Sequence, residues 1–307
     1  MERKKQTKSS IMDQYVATIG TFDGVHKGHK YLIEKIKKAA QQESLSSCVV
    51  TFDRPPILVI RPDKAPPFLN TTKEKISRIE KTGIDKVEVL NFDLQMAQLT
   101  AKEFIEKILA ERLHVKHLII GYDHRFGHNR EEGFEEYKAY GAAVGMQVDM
   151  FTEFVLSEDE VSSTTIRQYL EQGKLSLANN MLGYPYSITG EVVNGFRNGR
   201  LLGYPTANIK PNDPHKLIPK EGVYAVKVHI EEKTYNGMLY IGRRPTFDNG
   251  PEISIEVNIF NLNEDLYGQN ITIEFIAYTR GDIKFENLEA LQNQLQNDAE
   301  TCKKILA

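Results

Sequence analysis

The chain has 307 residues, with 40% hydrophobic and 26% charged residues and a formal net charge of −3, an ordinary globular balance at a length suited to two domains. Neither a strong basic excess nor a long acidic block is present, so no nucleic-acid or membrane partner is expected. No apolar run reaches the roughly 18 residues a membrane helix needs. The two cysteines, Cys48 and Cys302, lack metal-type spacing, which fits a reducing, cytoplasmic setting.

The first half alternates short apolar segments with helical patterns. Strands are expected at Tyr15–Ile19, Cys48–Phe52, Val87–Leu90, Leu118–Gly121 and Val148–Phe151, and helices at about 29–42, 72–82, 101–113 and 132–144. Thr100 and Glu103 make a capping box for the third helix, and Gly83 and Gly145 are natural stops. Such alternation implies a parallel sheet covered on both faces, with ligands bound at the carboxyl ends of its strands.

The stretch GTFDGVHKGH, residues 20–29, lies at such an end, between the first strand and the first helix. A helix N-terminus offers free N–H groups and the positive end of a dipole, histidines add donors, and glycines let a ligand come close. The pattern suits a phosphate group that gains charge during displacement. Surface polarity and a metal-binding histidine pair are the competing readings of these ten residues. A second helix start, VSSTTIRQYLEQGK at 161–174, sets Ser162, Ser163, Thr164 and Thr165 at the cap and Arg167 one turn in. That makes a second anion cradle, although serine and threonine are also common as simple caps.

Near residue 183 glycine and proline punctuation takes over and alternating strand patterns follow at Ser187–Val193, Val223–Ile230, Thr234–Ile241, Ile253–Phe260 and Ile271–Tyr278. The short polar EEK between the second and third is a hairpin signal. Leu288, Leu291, Leu295, Ala299, Cys302 and Ile305 share one face of a closing helix. The expectation is a small antiparallel barrel or sandwich with a C-terminal helix. Within it, GEVVNGFRNGRLLGYPTANIK (190–210) reads as a polar, glycine-punctuated loop able to wrap a phosphate chain. Thr206 and Asn208 offer neutral oxygens two residues apart, suited to Mg²⁺ held partly by ATP phosphates, though Pro-Thr-Ala-Asn also fits a plain turn. Glu256 interrupts the apolar alternation of ISIEVNIF, which by pattern alone reads as a solvent-facing strand glutamate.

HKGH at 26–29 and SSTTIR at 162–167 resemble the two motifs of the nucleotidyltransferase superfamily, and GTFDGVHKGH, GYDHRFG (121–127) and VSSTTIR resemble its FMN adenylyltransferase branch. GRLLGYPTAN, followed in order by GVYAV, IGRRPTF, IEVNIF and DLYG, resembles the riboflavin kinases. Together they resemble the bifunctional riboflavin kinase/FMN adenylyltransferase (FAD synthetase) family of bacteria over almost the whole chain. The resemblance implies a Rossmann-like nucleotidyltransferase domain over residues 1–182, followed by an antiparallel β-barrel riboflavin kinase domain with a C-terminal helix over 183–307. It implies ATP, riboflavin and FMN as small-molecule substrates, FAD as product, and Mg²⁺ accompanying ATP.

By the same resemblance, His26 and His29 stabilise the α-phosphate transition state, and Gly20, Phe22, Gly24, Ser163, Thr164 and Arg167 hold the rest of that ATP. Asp23, Asp123 and Arg125 would meet the flavin. In the kinase, Gly195, Gly199, Arg200, Thr206 and Asn208 would bind ATP, with Thr206 and Asn208 on the metal, and Glu256 would take the proton of the riboflavin 5′-hydroxyl. Tyr224 and Phe247 are candidates to stack on the flavin, with core packing as the alternative, and Arg280 is a candidate phosphate or flavin contact. The chain departs from the family pattern at TFDRPP (51–56), which has no histidine, and at His124, where an aromatic is more usual.

Overall fold

The structure, a computed structural model, describes residues 13–121, 125–128, 131–151, 161–194, 203–244 and 252–307. Packing divides the chain into two compact units, one of Met1–Pro66 with Asn70–Asp159 and one of Pro67–Leu69 with Glu160–Ala307.

The first unit contains strands β1 (Tyr15–Ile19), β2 (Ser46–Phe52), β3 (Lys86–Leu90), β4 (Val115–Gly121) and β5 (Gln147–Phe151). They form one parallel sheet in the order β3-β2-β1-β4-β5. Each strand falls at or within a few residues of its expected place. Alternate residues serve opposite faces. Val16, Val49 and Ile119 pack with Ile33 and Ile36 of the Lys27–Glu43 helix and Ile79 of the Thr72–Glu80 helix. Ala17, Val50, Leu118 and Ile120 pack on the other side with Phe104, Leu109 and Tyr137. The strand order reverses direction between β1 and β4, which makes the end of β1 the topological switch point where α/β sheets bind ligands.

The expected helix over 101–113 begins as one α-turn, Ala101–Glu103, with the Thr100–Glu103 capping box in place, and continues as a π-helix over Phe104–Arg112. Gly83 and Gly145, at φ +73° and +70°, occupy the left-handed region after their helices.

In the second unit the helices Ser163–Gln172 and Leu175–Leu182 precede strands β6 (Ser187–Val193), β7 (Ala207–Pro211), β8 (Gly222–Ile230), β9 (Lys233–Arg244), β10 (Glu252–Ile259) and β11 (Asn270–Arg280). These close into an antiparallel barrel in the order β10-β7-β6-β11-β8-β9. β7 is a correction to the sequence-based expectation, which gives a strand as far as Val193 and a polar loop from there to residue 210. Its polar, proline-bounded sequence lacks a strand signature, and pairing to β6 and β10 is what orders it. The EEK hairpin is present, with Ile230 opposite Lys233.

The barrel interior is filled by Val226, Val228, Leu239, Ile255, Val257 and Phe275. The Leu288–Leu306 helix packs against Val223, Ala225 and Met238 through Ala299, Cys302 and Leu295. Its expected apolar face is only partly used, since Leu288 is 72% and Ile305 43% exposed. Helix docking instead includes a buried charge. Arg280, at the end of β11, gives Nε to Asp298 Oδ1 at 2.9 Å and Nη2 to Oδ2 at 2.6 Å.

Two candidate active sites

The first site is built on the turn leaving β1. Gly20 N donates to Val50 O at 3.1 Å, extending the ladder by one bond. The chain then turns through Phe22, Gly24 and Val25 at φ +50°, +83° and +37°. Left-handed backbone at a β-branched valine costs roughly 1–3 kcal/mol and persists only where packing over-determines it. Here Val25 is fully buried and its N–H is bonded to Phe22 O at 3.1 Å. The Phe22 ring folds back over Gly20, where a Cβ would lie 3.1 Å from it.

This strained turn delivers His26 to the N-cap of the Lys27–Glu43 helix, where its Nδ1 accepts from His29 N at 3.4 Å. The two rings stack with centroids 3.7 Å apart, and the Phe22 ring lies tilted 5.0 Å from His29. The first turn carries no acid; Lys27 and Lys30 lie there instead. Burial, Arg78 and Lys27 all push the Lys30 ammonium below its usual range. A helix start crowded with cations is a place for an anion.

His29 keeps part of its surface exposed, yet its Nδ1 is enclosed without a hydrogen-bond partner. Burial, then the neighbouring His26 and Lys75, hold its pKa well below the ordinary histidine value. The imidazole is therefore neutral at neutral pH. Lys75 escaped the sequence reading because it looks like one more surface lysine on a helix. It is 4% exposed, donates to Phe52 O at 2.8 Å, and burial depresses it to about 8 against the pull of Asp23 and Asp53.

Of the expected flavin contacts, Asp23 is buried in the turn and accepts from Asn70 N at 3.1 Å. Arg125 is exposed and reaches Glu131 O at 3.5 Å, while Asp123 lies outside the described residues. The buried Tyr137 organises this region: its ring stacks on Phe126 at 4.2 Å, and its hydroxyl accepts from Phe126 N at 3.0 Å. Ser162, not Ser163, is the cap of the second motif helix, accepting from Thr165 N at 3.1 Å. Ser163 and Thr164 follow in its first turn, and Arg167 donates Nε to Pro67 O at 2.9 Å. These residues belong to the second compact unit, whereas His26 and His29 belong to the first.

The second site is assembled by strand register. Glu256 on β10 stands opposite Asn208 of β7 and Tyr240 of β9, so the three project from one barrel face while Ile255 and Val257 point inward. Thr206 Oγ1 donates to Glu256 Oε2 at 3.1 Å, and Ser254 Oγ donates to Oε1 at 3.1 Å. Asn258 Nδ2 holds Pro205 O at 2.7 Å, fixing the segment that carries Thr206. Tyr240 donates to Asp282 Oδ1 at 3.0 Å, and burial, Asp282 and then Glu256 push its phenol up to about 12. A cavity of about 420 Å³ opens beside Thr206, lined by Pro205, Leu262, Asp265 and Tyr267 among others.

Neutral oxygens from Thr206 and Asn208 beside a carboxylate fit a hard divalent cation shared with phosphates. Among the described residues no group of three or more His, Cys, Asp or Glu forms a dedicated metal cage. Gly195, Gly199, Arg200 and Phe247 lie outside the described residues. Tyr224 is fully buried in the core and donates to Lys220 O, the packing alternative for that ring. The Arg280 guanidinium is bound by Asp298 and by Gly281 O at 2.8 Å.

Comparison with known proteins adds independent findings. The sequence model described as FAD synthetase matches residues 8–165, and that described as riboflavin kinase matches residues 182–306. A protein of Haemophilus influenzae named bifunctional riboflavin kinase/FMN adenylyltransferase is 38% identical, over 95% of this chain and 94% of its own. Proteins of the same name from Listeria monocytogenes and Bacillus subtilis are 35% and 37% identical, over 95% and 96% of this chain and 92% of each of theirs. A crystal structure from Streptococcus pneumoniae, titled a macrolide-efflux protein, superposes with a TM-score of 0.85 at 32% identity, covering 95% of this chain and 94% of its own. Among the described residues here, no helix is long and apolar enough to cross a membrane.

Proposed function

The chain belongs to the bifunctional riboflavin kinase/FMN adenylyltransferase family, and from that premise we propose how its residues divide the two reactions. The enzyme phosphorylates riboflavin with ATP to give FMN and ADP, then joins FMN to the adenylyl group of a second ATP to give FAD and pyrophosphate. The observation that supports the division is that two chemically different constellations, imidazoles at a helix start and a hydroxyl-bound carboxylate on a barrel, lie in separate compact units.

In the kinase reaction Glu256 takes the proton of the riboflavin 5′-hydroxyl as its oxygen attacks the γ-phosphorus of ATP, and ADP leaves. Thr206 and Asn208 would hold Mg²⁺, which when bound offsets charge on the ATP phosphates. The Thr206 hydroxyl donates its proton to Glu256, so only its lone pairs face outward, as a cation requires. In the adenylyl transfer a phosphate oxygen of FMN is the nucleophile and attacks the α-phosphorus. No covalent enzyme intermediate is needed, and the protein supplies placement and charge stabilisation. His26, His29 and the N–H groups of the helix start meet the charge developing at the α-phosphate. Ser163, Thr164 and Arg167 hold the departing pyrophosphate, with Gly20, Phe22 and Gly24 shaping the turn.

We assign residues 1–182 to adenylyl transfer and 183–307 to the kinase. This functional boundary lies beyond residue 159, where packing divides the chain, because the 162–167 motif serves the first reaction. Asp23, Asp123 and Arg125 are assigned to the flavin side of that site, and Gly195, Gly199 and Arg200 to the kinase ATP. The cytoplasm is the proposed location, where ATP is abundant and thiols such as Cys48 and Cys302 stay reduced. Incubation with riboflavin, ATP and Mg²⁺, resolved by chromatography, should yield FMN first and FAD later. FMN with no FAD sinks the bifunctional reading.

A further inference from the structure

Beside Thr206, a second hydroxyl in the kinase constellation is bonded to Glu256. Ser254 lies two residues before Glu256 on β10, on the same strand face, and is 9% exposed. Its hydroxyl donates to Glu256 Oε1 at 3.1 Å, while Thr206 donates to the other oxygen, Oε2, at the same distance. The terminal torsion of a glutamate is broad and nearly two-fold. Donors on both oxygens fix the plane of the carboxylate more firmly than a donor on one.

The neighbouring strand supports this arrangement. Ser254 pairs in register with Gly242 on β9, where a Cβ would lie 2.1 Å from Tyr240 Oη. Tyr240 thus lies over Gly242 with its hydroxyl on Asp282. Ser254 therefore stands beside a ring, and the hydrogen bond it makes is directed along its own strand to Glu256.

We propose that Ser254 is a positioning residue for phosphoryl transfer. Its hydroxyl sets the plane of the Glu256 carboxylate so that a lone pair meets the riboflavin 5′-hydroxyl. Ser254 touches neither substrate in this scheme; it acts through Glu256, and the inference rests on Glu256 being the base. A misoriented base slows the chemical step and leaves substrate binding intact.

Steady-state kinetics of FMN formation by the full-length enzyme tests this. Ser254→Ala should lower kcat about tenfold, with KM for riboflavin and for MgATP each within about twofold. Ser254→Thr, which restores a hydroxyl on a strand-compatible side chain, should recover kcat to within about threefold of wild type. An unchanged kcat in Ser254→Ala overturns the proposal, as does a rise in KM at constant kcat, which would make Ser254 a substrate contact. A lowered melting temperature in Ser254→Ala, with Ser254→Thr equally slow, also overturns it and assigns Ser254 to stability. Glu256→Gln separates the two levels. If that variant still phosphorylates riboflavin, the base assignment itself fails; if it is inactive while Ser254→Ala is normal, only the role of Ser254 fails.

Discussion

The two sites reach precision by opposite means. In the first unit the backbone is broken out of regular structure, through Phe22, Gly24 and Val25 in left-handed conformations, and two imidazoles follow on the helix that results. In the barrel Thr206, Asn208 and Glu256 sit on or beside an unbroken ladder, and Glu256 meets Asn208 because β7 and β10 are in register. The difference fits what each site would have to supply under the proposed division. Stabilising charge on a phosphate needs N–H groups aimed at one point, and a strained strand-to-helix turn concentrates them. Removing a proton needs one carboxylate held still, and a closed sheet is the stiffer mount.

If the comparison is right, damage to each site should stay in its own reaction. Glu256→Gln should lower FMN formation on the order of 10²–10⁴-fold, the range for a lost general base, and leave FAD formation from supplied FMN within about twofold. His29→Ala should do the reverse, lowering FAD formation about 10²–10³-fold while FMN formation continues. Both are read in one two-step assay, and loss of both products in either variant breaks the separation. Arg280→Met, which strands the buried Asp298 carboxylate, should cost about 3–5 kcal/mol of stability in chemical unfolding of the barrel unit. Adding Asp298→Leu should return much of that loss, because the stranded charge is removed.

The smallest effect is on pH dependence. Because the pKa of His29 is lowered on folding, the unfolded chain binds a proton that the folded one refuses as pH drops below about 6.5. The associated stability is complete above that pH and is lost on acidification. Melting temperatures at pH 7.5 and 5.5 should converge in His29→Asn relative to wild type; an equal drop in both proteins refutes the contribution of this residue.

The first site was largely legible because its chemistry is contiguous. Ten residues carry the strand end, the glycines, the cap and both histidines, so the place is marked by pattern. The choice of an anion site over a metal pair or surface polar residues came from the second motif at 162–167 and from resemblance. Lys75 was hidden because its burial depends on how the Thr72–Glu80 helix packs, and charge on a helix ordinarily reads as a solvated face. In the barrel, Thr206 and Glu256 are fifty residues apart, and only register brings them together. Their pairing was available through resemblance and not through pattern. Strand β7 was missed for a related reason: its order comes from neighbours on both sides and not from its own composition. Ser254 and Asp298 were invisible because each acts through one specific partner.

The cap of the Lys27–Glu43 helix also has a chemical consequence. Most caps are hydroxyls or carboxylates, whereas this one is an imidazole whose Nδ1 accepts from His29 N. That bond selects a tautomer: the ring's remaining proton must sit on Nε2. Which nitrogen of His26 can donate to a ligand is thus decided by the start of a helix, before any ligand arrives.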